Sequence, residues 1–422
     1  MIKKALILAI GEEYLFEIAG LPLIQRTLYS AQRGGVEEFI ILTDQNGEAL
    51  RTLVDHHELA KKITSISLQK EGLDPSSSIR LREILDEPFI LFTRLILFDS
   101  RLLSQLSGER KNDDLVLTCG KGDQETGIYL IFPNYLPLIE EMVEEKGPIT
   151  QEKLLAKGVK VKRVEIGDRF WHPIEGRGSL KEAEKQLLKS LIKETDSPLA
   201  KLIDRNVSLA ISRWLAKTSI TPNQITLLTL FIGLLGSLLL AIPDYLARVV
   251  GTGFFLFSSV TDGCDGEIAR LKFQESRYGG WLDILCDNIT HIAIFSGLAL
   301  GLYSVELQTM YLWLGGLASL GVILSVGLVS YTTLRKKAAQ GPFFTSFTEE
   351  GRSSNEGGMR RFLANLDDYL ARRDFIYLMF ILALIDRLDW FLWAAGIGSP
   401  LFFISLIVMK AVEHFSTASR LS

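Results

Sequence analysis

From Ile225 onward the chain is dominated by apolar runs of about 20 residues, the length a helix needs to cross the hydrocarbon core of a bilayer. Backbone N–H and C=O groups find no water there, so such runs must satisfy their own hydrogen bonds as helices. The pattern predicts six spans, at about 224–242, 246–270, 279–303, 308–334, 374–397 and 399–417, with both ends of the bundle on one side. Connections on that side carry Arg270, Lys272, Arg277, Arg335, Lys336, Arg372 and Arg373, whereas those on the other hold little beyond Arg248. The positive-inside rule therefore places the basic side, and the N-terminal half with it, in the cytoplasm of a cell (inner) membrane.

The first half reads differently, with charges spread evenly and short apolar runs between helical patterns. Residues 3–10 (KKALILAI) have strand length, residues 22–34 read as an amphipathic helix, and residues 38–43 (EFIILT) return as a second strand, which makes a parallel βαβ unit. Further strand runs at 64–68, 89–92, 115–118 and 127–132 alternate with helical patterns at 44–57 and 180–193, so a doubly wound α/β domain is expected over residues 1–190. No secretory leader precedes its first strand, which suits a cytosolic location. The formal net charge of −4 gives no basic surface for nucleic acid. Cys119, Cys264 and Cys286 have no CxxC spacing and read as buried small residues.

Within the membrane half, Asp262 and Asp265 are three residues apart and Asp283 and Asp287 four apart, so on helices each pair shares one face. A turn between the two helices would gather four carboxylates in apolar surroundings. Ionisable groups at such depth cost several kcal/mol and mark function. An all-oxygen set of this kind suits a hard cation, Mg²⁺ or Mn²⁺, of the sort that grips phosphates through a few carboxylates. Gly266 removes a side chain on the face of Asp262, and Arg270 offers a fork to phosphate. These residues spell D-x2-D-G-x2-A-R-x8-G-x3-D-x3-D without departure.

That signature resembles the CDP-alcohol phosphotransferase family. The resemblance implies that Asp262, Asp265, Asp283 and Asp287 hold two divalent ions and that Asp287 is also the general base. It assigns the CDP-linked donor to Gly266, Ala269, Arg270, Gly279 and Asn223. Residues 220–226 (ITPNQIT) are similar to the start of the family's first span, with Pro222 in the first turn, where its missing N–H costs nothing.

The first 190 residues resemble sugar nucleotidyltransferases, especially inositol-phosphate cytidylyltransferases, but lack what that chemistry needs. Gly11 is followed by Glu-Glu-Tyr-Leu-Phe-Glu instead of a glycine-rich basic loop. Thr93-Arg94 stands where a metal-binding aspartate is expected after the 89–92 strand, and His172-Pro173 where a second acid is expected after Phe170-Trp171. A fold without its original activity is therefore expected. His56, His57 and His172 have no metal-site company. Residues 191–223 read as a juxtamembrane interfacial helix and linker, with Lys201, Asp204, Arg205 and Arg213 toward the headgroups and Leu202, Ile203, Leu209 and Trp214 toward the apolar side.

The expected enzyme is an integral membrane CDP-alcohol phosphotransferase releasing CMP, in contact with the bilayer and forming a homodimer through its membrane half. A phosphorylated polyol acceptor would be held by Arg335, Lys336, Arg372 and Arg373. The fusion of the two halves most resembles the di-inositol-phosphate-phosphate synthases. The alternatives are a phospholipid synthase using CDP-diacylglycerol, and a non-catalytic membrane scaffold. Asp386, Arg387 and Asp389 are expected inside span five, paired with one another or lining the acceptor site, and His291 in packing one turn past Asp287.

Overall fold

The computed structural model describes residues 2–43, 63–67, 75–109, 116–122, 124–145, 147–192, 203–335 and 375–421, and the chain divides into two units, Met1–Leu191 and Ile192–Ser422.

In the first unit, β1 (Lys4–Ala9) is apolar after Lys4 and buried on both faces, which suits an interior strand of the sheet. The chain then forms a short ladder of β2 (Glu17–Ile18) with β3 (Leu21–Pro22), helix α1 (Leu23–Arg33) and β4 (Glu38–Thr43). β1 pairs in parallel with β4 on one side and with β6 (Phe89–Phe92) on the other, and β5 (Ile63–Ser67) extends the sheet beyond β4. β7 (Ile96–Phe98) and β11 (Trp171–Pro173) make a separate antiparallel pair. The full order is β10-β8-β9-β6-β1-β4-β5, with β8 (Val116–Lys121), β9 (Gln124–Ile131) and β10 (Val161–Glu165) on the far side. β9 runs antiparallel to both β6 and β8. Its connection to β8 is too short for a parallel crossover, so the sheet is mixed at this end.

Helices cover both faces. α1, α3 (Arg101–Gly108) and α6 (Leu180–Lys189) bring Leu23, Leu102 and Ala183 to one core, while α2 (Pro75–Ile84), α4 (Leu136–Glu144) and α5 (Gln151–Ala156) bring Leu81, Ile139 and Leu154 to the other. The doubly wound reading therefore holds, and the helix expected at 44–57 lies outside the described residues. Cys119 is a core residue whose thiol burial pushes up to about 12, so it stays a protonated, unreactive packing group.

The second unit begins with α7 (Arg205–Leu215), which packs on α9 (Tyr245–Lys272). Arg205 does not reach outward as expected. Its Nη1 lies 2.8 Å from Glu267 Oε1 in α9, because a fully buried carboxylate there demands a partner. α8 (Pro222–Leu240) opens with Thr221 and Gln224 in a reciprocal capping box and Pro222 in its first turn, as expected. α10 (Arg277–Glu306), α11 (Met310–Arg335), α12 (Phe375–Leu384) and α13 (Leu388–Leu421) complete the unit.

Among the described residues, four helices are long and apolar enough to cross a membrane: Pro222–Leu240, Arg277–Glu306, Met310–Tyr331 and Leu388–Val408. α9 has the length, at 28 residues, but carries Asp262, Asp265, Glu267, Arg270 and Lys272 in its second half. Near the C-terminus the expected boundaries shift. The break falls not near residue 398 but at Asp386, in the left-handed region with φ +54°, and α13 then runs through Pro400. Pro400 is accommodated because Gly321 of α11 lets the two backbones touch, and Ser399 Oγ donates to Ala318 O at 2.8 Å. Asp386, Arg387 and Asp389 are thus at a helix–helix turn, not inside a span. Asp386 lies 3.6 Å from Arg248, and Arg387 stacks over Trp390.

Between helices that share an apolar solvent, close contact rather than hydrophobicity drives association, and small residues permit it. A Cβ on Gly301 would sit 2.1 Å from Leu240 O, and one on Gly297 2.3 Å from Ser237 O, so α8 and α10 meet backbone to backbone. Gly301→Val is expected to lower the unfolding midpoint of the detergent-solubilised protein, at a cost of about 1–3 kcal/mol from overpacking. Gly316→Ala, whose Cβ meets nothing within 4 Å, should leave it unchanged; equal shifts for both would contradict the α8–α10 contact.

Candidate active site

α9 and α10 are joined by a bend that is set by local chemistry. Phe273 leaves α9 in the left-handed conformation with φ +57°, its N–H returning to Ala269 O, and Ser276 caps α10 by accepting from Gly279 N at 2.9 Å. This short connection sends α10 back against α8, on which α9 packs as well. Carboxylate oxygens of Asp262, Asp265 and Asp283 then lie within 4.8 Å of one another, with Asp262 and Asp265 buried and Asp283 half-buried.

Three like charges at such separations repel by several kcal/mol per pair at an effective dielectric constant of about 20. No cysteine or histidine joins the group among the described residues. An all-oxygen, partly dehydrated set fits Mg²⁺ or Mn²⁺, so the residues present pass the test for the expected ion. Thr226 of α8 donates from Oγ1 to Asp265 Oδ2, and the backbone N–H of Gly266 donates to Asp265 Oδ1, which fix the orientation of that carboxylate. Thr226 escaped the sequence reading. Its only signal was a hydroxyl four residues past Pro222 on an otherwise apolar helix.

Asp287 lies one turn beyond Asp283 on α10 and is half-buried, outside the close trio. Among the residues expected to hold the donor, Gly266 stands beside Arg270: a Cβ on it would come 3.4 Å from Arg270 Nη1. Ala269, half-buried, immediately precedes that arginine on α9. Gly279 and Asn223 are brought together from the first turns of α10 and α8, since a Cβ on Gly279 would meet Asn223 Oδ1 at 3.0 Å. His291 packs between the rings of Phe255 and Phe375 at 6.0 Å from each, which agrees with the packing role. Arg335 is the last residue of α11, while Lys336, Arg372 and Arg373 lie outside the described residues.

The chain is similar to several known proteins. Over 341 residues the chain is 26% identical to the bifunctional IPC transferase and DIPP synthase of Aquifex aeolicus, covering 72% of this chain and 78% of that one. The protein of the same name from Thermococcus kodakarensis is 24% identical over 371 residues, with 80% and 83% covered. The archaetidylinositol phosphate synthase of Pyrococcus horikoshii is 37% identical over 92 residues, or 22% of this chain and 47% of that one. Among solved structures, the inositol-1-phosphate CTP transferase from T. maritima aligns at 18% identity and a TM-score of 0.34, covering 44% of this chain and 96% of that chain. Residues 219–348, which contain all four aspartates and the glycine and arginine between them, match the CDP-alcohol phosphatidyltransferase family model, so the chain carries a region of that family's type in its second half.

Proposed function

We propose that the chain moves a phospho-alcohol group from a CDP-alcohol to the hydroxyl of a phosphorylated polyol, inositol phosphate being the acceptor favoured by the names of its relatives. The observation that carries this reading is the close carboxylate trio at the bend of α9 and α10, inside the complete signature. Asp262, Asp265, Asp283 and Asp287 hold two divalent ions, which when bound neutralise charge on the donor pyrophosphate. Arg270 holds the pyrophosphate from α9, with Gly266 leaving room beside it. Asp287 accepts the proton of the acceptor hydroxyl. The oxygen then attacks the β-phosphorus, the bond from that phosphorus to the bridging oxygen breaks, and CMP departs with the bridging oxygen. Arg335, Lys336, Arg372 and Arg373 hold the acceptor phosphate.

The arrangement in the membrane follows from the same logic. Six helical segments, α8 to α13, make up the part within the inner membrane, with the basic connections and the carboxylates at the cytoplasmic face where CDP-linked donors are found. The membrane half forms a homodimer. The N-terminal unit is a cytosolic nucleotidyltransferase-like domain without its activity, joined through residues 191–223.

One observation favours a second reading, in which the donor is CDP-linked lipid: the 92-residue match to the archaetidylinositol phosphate synthase reaches 37% identity, above that of the bifunctional relatives. The purified full chain, incubated with Mg²⁺, inositol phosphate and either CDP-inositol or CDP-diacylglycerol, should release CMP with one donor, and the product mass identifies which. Release with neither donor would remove both readings in favour of a membrane scaffold.

A further inference from the structure

The ion pair between Arg205 and Glu267 is buried between α7 and α9, with side-chain exposures of 15% and 0%. Ser208, one turn along α7, donates from Oγ to the same Glu267 Oε1 at 2.8 Å, and Cys264 Sγ donates to Ser208 O at 3.5 Å. Gly263 leaves the space the guanidinium uses, since a Cβ there would stand 3.3 Å from Arg205 Nη1. One residue earlier, Asp204 accepts a hydrogen bond from Tyr377 Oη of α12. The start of α7 is therefore clipped to two helices of the bundle by adjacent charges.

Glu267 sits on the same helix as two of the carboxylates but on its back. At 3.6 residues per turn it lies roughly 140° round α9 from Asp262 and roughly 160° from Asp265. α9 is thereby held from both sides: Thr226 of α8 engages Asp265 at the front, and α7 engages Gly263, Cys264 and Glu267 at the rear. A buried carboxylate whose cationic partner is fixed on another helix resists rotation of its own helix, because turning away would leave the charge uncompensated.

We propose that Arg205 is a positioning residue for the metal-binding face: by holding Glu267 it sets the rotation of α9 that turns Asp262 and Asp265 toward Asp283. The inference rests on the reading of that trio as a divalent-cation site. It makes α7, the helix next to the join with the N-terminal unit, part of what tunes the affinity of the site for its ion.

The test measures Mn²⁺ binding to the purified full chain in detergent by the loss of the free-ion paramagnetic resonance signal, beside turnover as a function of Mg²⁺. Arg205→Met is expected to weaken Mn²⁺ binding roughly 10–100-fold, the effect typical of residues that orient metal ligands from behind, with turnover recovered at high Mg²⁺ and donor KM little changed. Arg205→Lys, which keeps the charge, should bind Mn²⁺ nearly as the wild type does, and so should the exchanged pair Arg205→Glu with Glu267→Arg. Ser208→Ala removes one hydrogen bond to the same oxygen without touching the charge, and should weaken binding by a smaller factor. A purely structural ion pair would instead lower the unfolding midpoint of Arg205→Met while leaving Mn²⁺ affinity where it was, which overturns the proposal. If Arg205→Met does not fold, unchanged affinity in Ser208→Ala overturns it. Asp262→Asn reports separately on the underlying reading, since normal Mn²⁺ binding in that variant removes the metal site itself, whatever Arg205 does.

Discussion

Asp287→Asn is expected to lower kcat roughly 10²–10⁴-fold, the contribution typical of a positioned general base, while donor KM changes little. Asparagine preserves the shape and one ligand oxygen but has no basic site for the hydroxyl proton. The position of Asp287 suits the role better than that of its three companions. Asp262, Asp265 and Asp283 present oxygens within 4.8 Å of one another. Asp287 lies a turn further along α10, half-buried, where a carboxylate keeps an oxygen for a substrate proton. Asp262→Asn should behave differently: Mn²⁺ binding falls, and donor affinity falls with it. Near-normal turnover of Asp287→Asn at saturating Mg²⁺ would transfer the base role elsewhere. Equal loss of Mn²⁺ binding in both variants would instead leave Asp287 a metal ligand without the base role.

The legible part of this site was its spacing. Pairs three and four residues apart locate carboxylates on helix faces, and a turn between the two helices is enough to gather them, so the encounter of Asp262, Asp265 and Asp283 follows from helical periodicity. The alternation of strand and helix likewise revealed the core strands β1, β4, β5 and β6. What periodicity could not give was contact between helices distant in sequence. Thr226 and Arg205 sit 39 and 62 residues from their partners Asp265 and Glu267, and each looks ordinary on its own helix. Arg205 was read as a headgroup contact because a basic residue on an amphipathic helix beside a membrane usually is one. The buried Glu267 reverses that choice, and Glu267 itself was hidden at an unspecified position of the signature. The break at Asp386 was missed for a related reason. Pro400 would ordinarily interrupt a helix, yet the neighbouring α11 supplies the packing that keeps α13 intact through it.

The full chain is expected to release no pyrophosphate from CTP and inositol phosphate, under conditions where it releases CMP from a preformed CDP-alcohol. In a doubly wound sheet the ligand crevice lies outside the carboxyl ends of the strands where the order reverses, which here is between β1 and β6. A triphosphate at that place needs free backbone amides, cations and a carboxylate for its metal ion. After β1 the chain instead presents Glu12 and Glu13, and the Glu13 carboxylate accepts from Gly176 N at 3.2 Å, while Glu12 lies 3.8 Å from Arg177. After β6 the residue available is Arg94, whose guanidinium is spent on main-chain carbonyls: Nε donates to Thr126 O at 3.2 Å and Nη2 to Glu125 O. The preceding Thr93 donates from both N and Oγ1 to Gly127 O, so both positions are committed to holding the start of β9. Substituting Arg94 by Asp would supply the missing acid but strip those carbonyls of their donor. It is expected to destabilise the N-terminal unit without creating activity. Pyrophosphate release by the unmodified chain would show that the acidic loop after β1 still binds nucleotide, and the N-terminal unit would then be a working cytidylyltransferase supplying the membrane half with its donor.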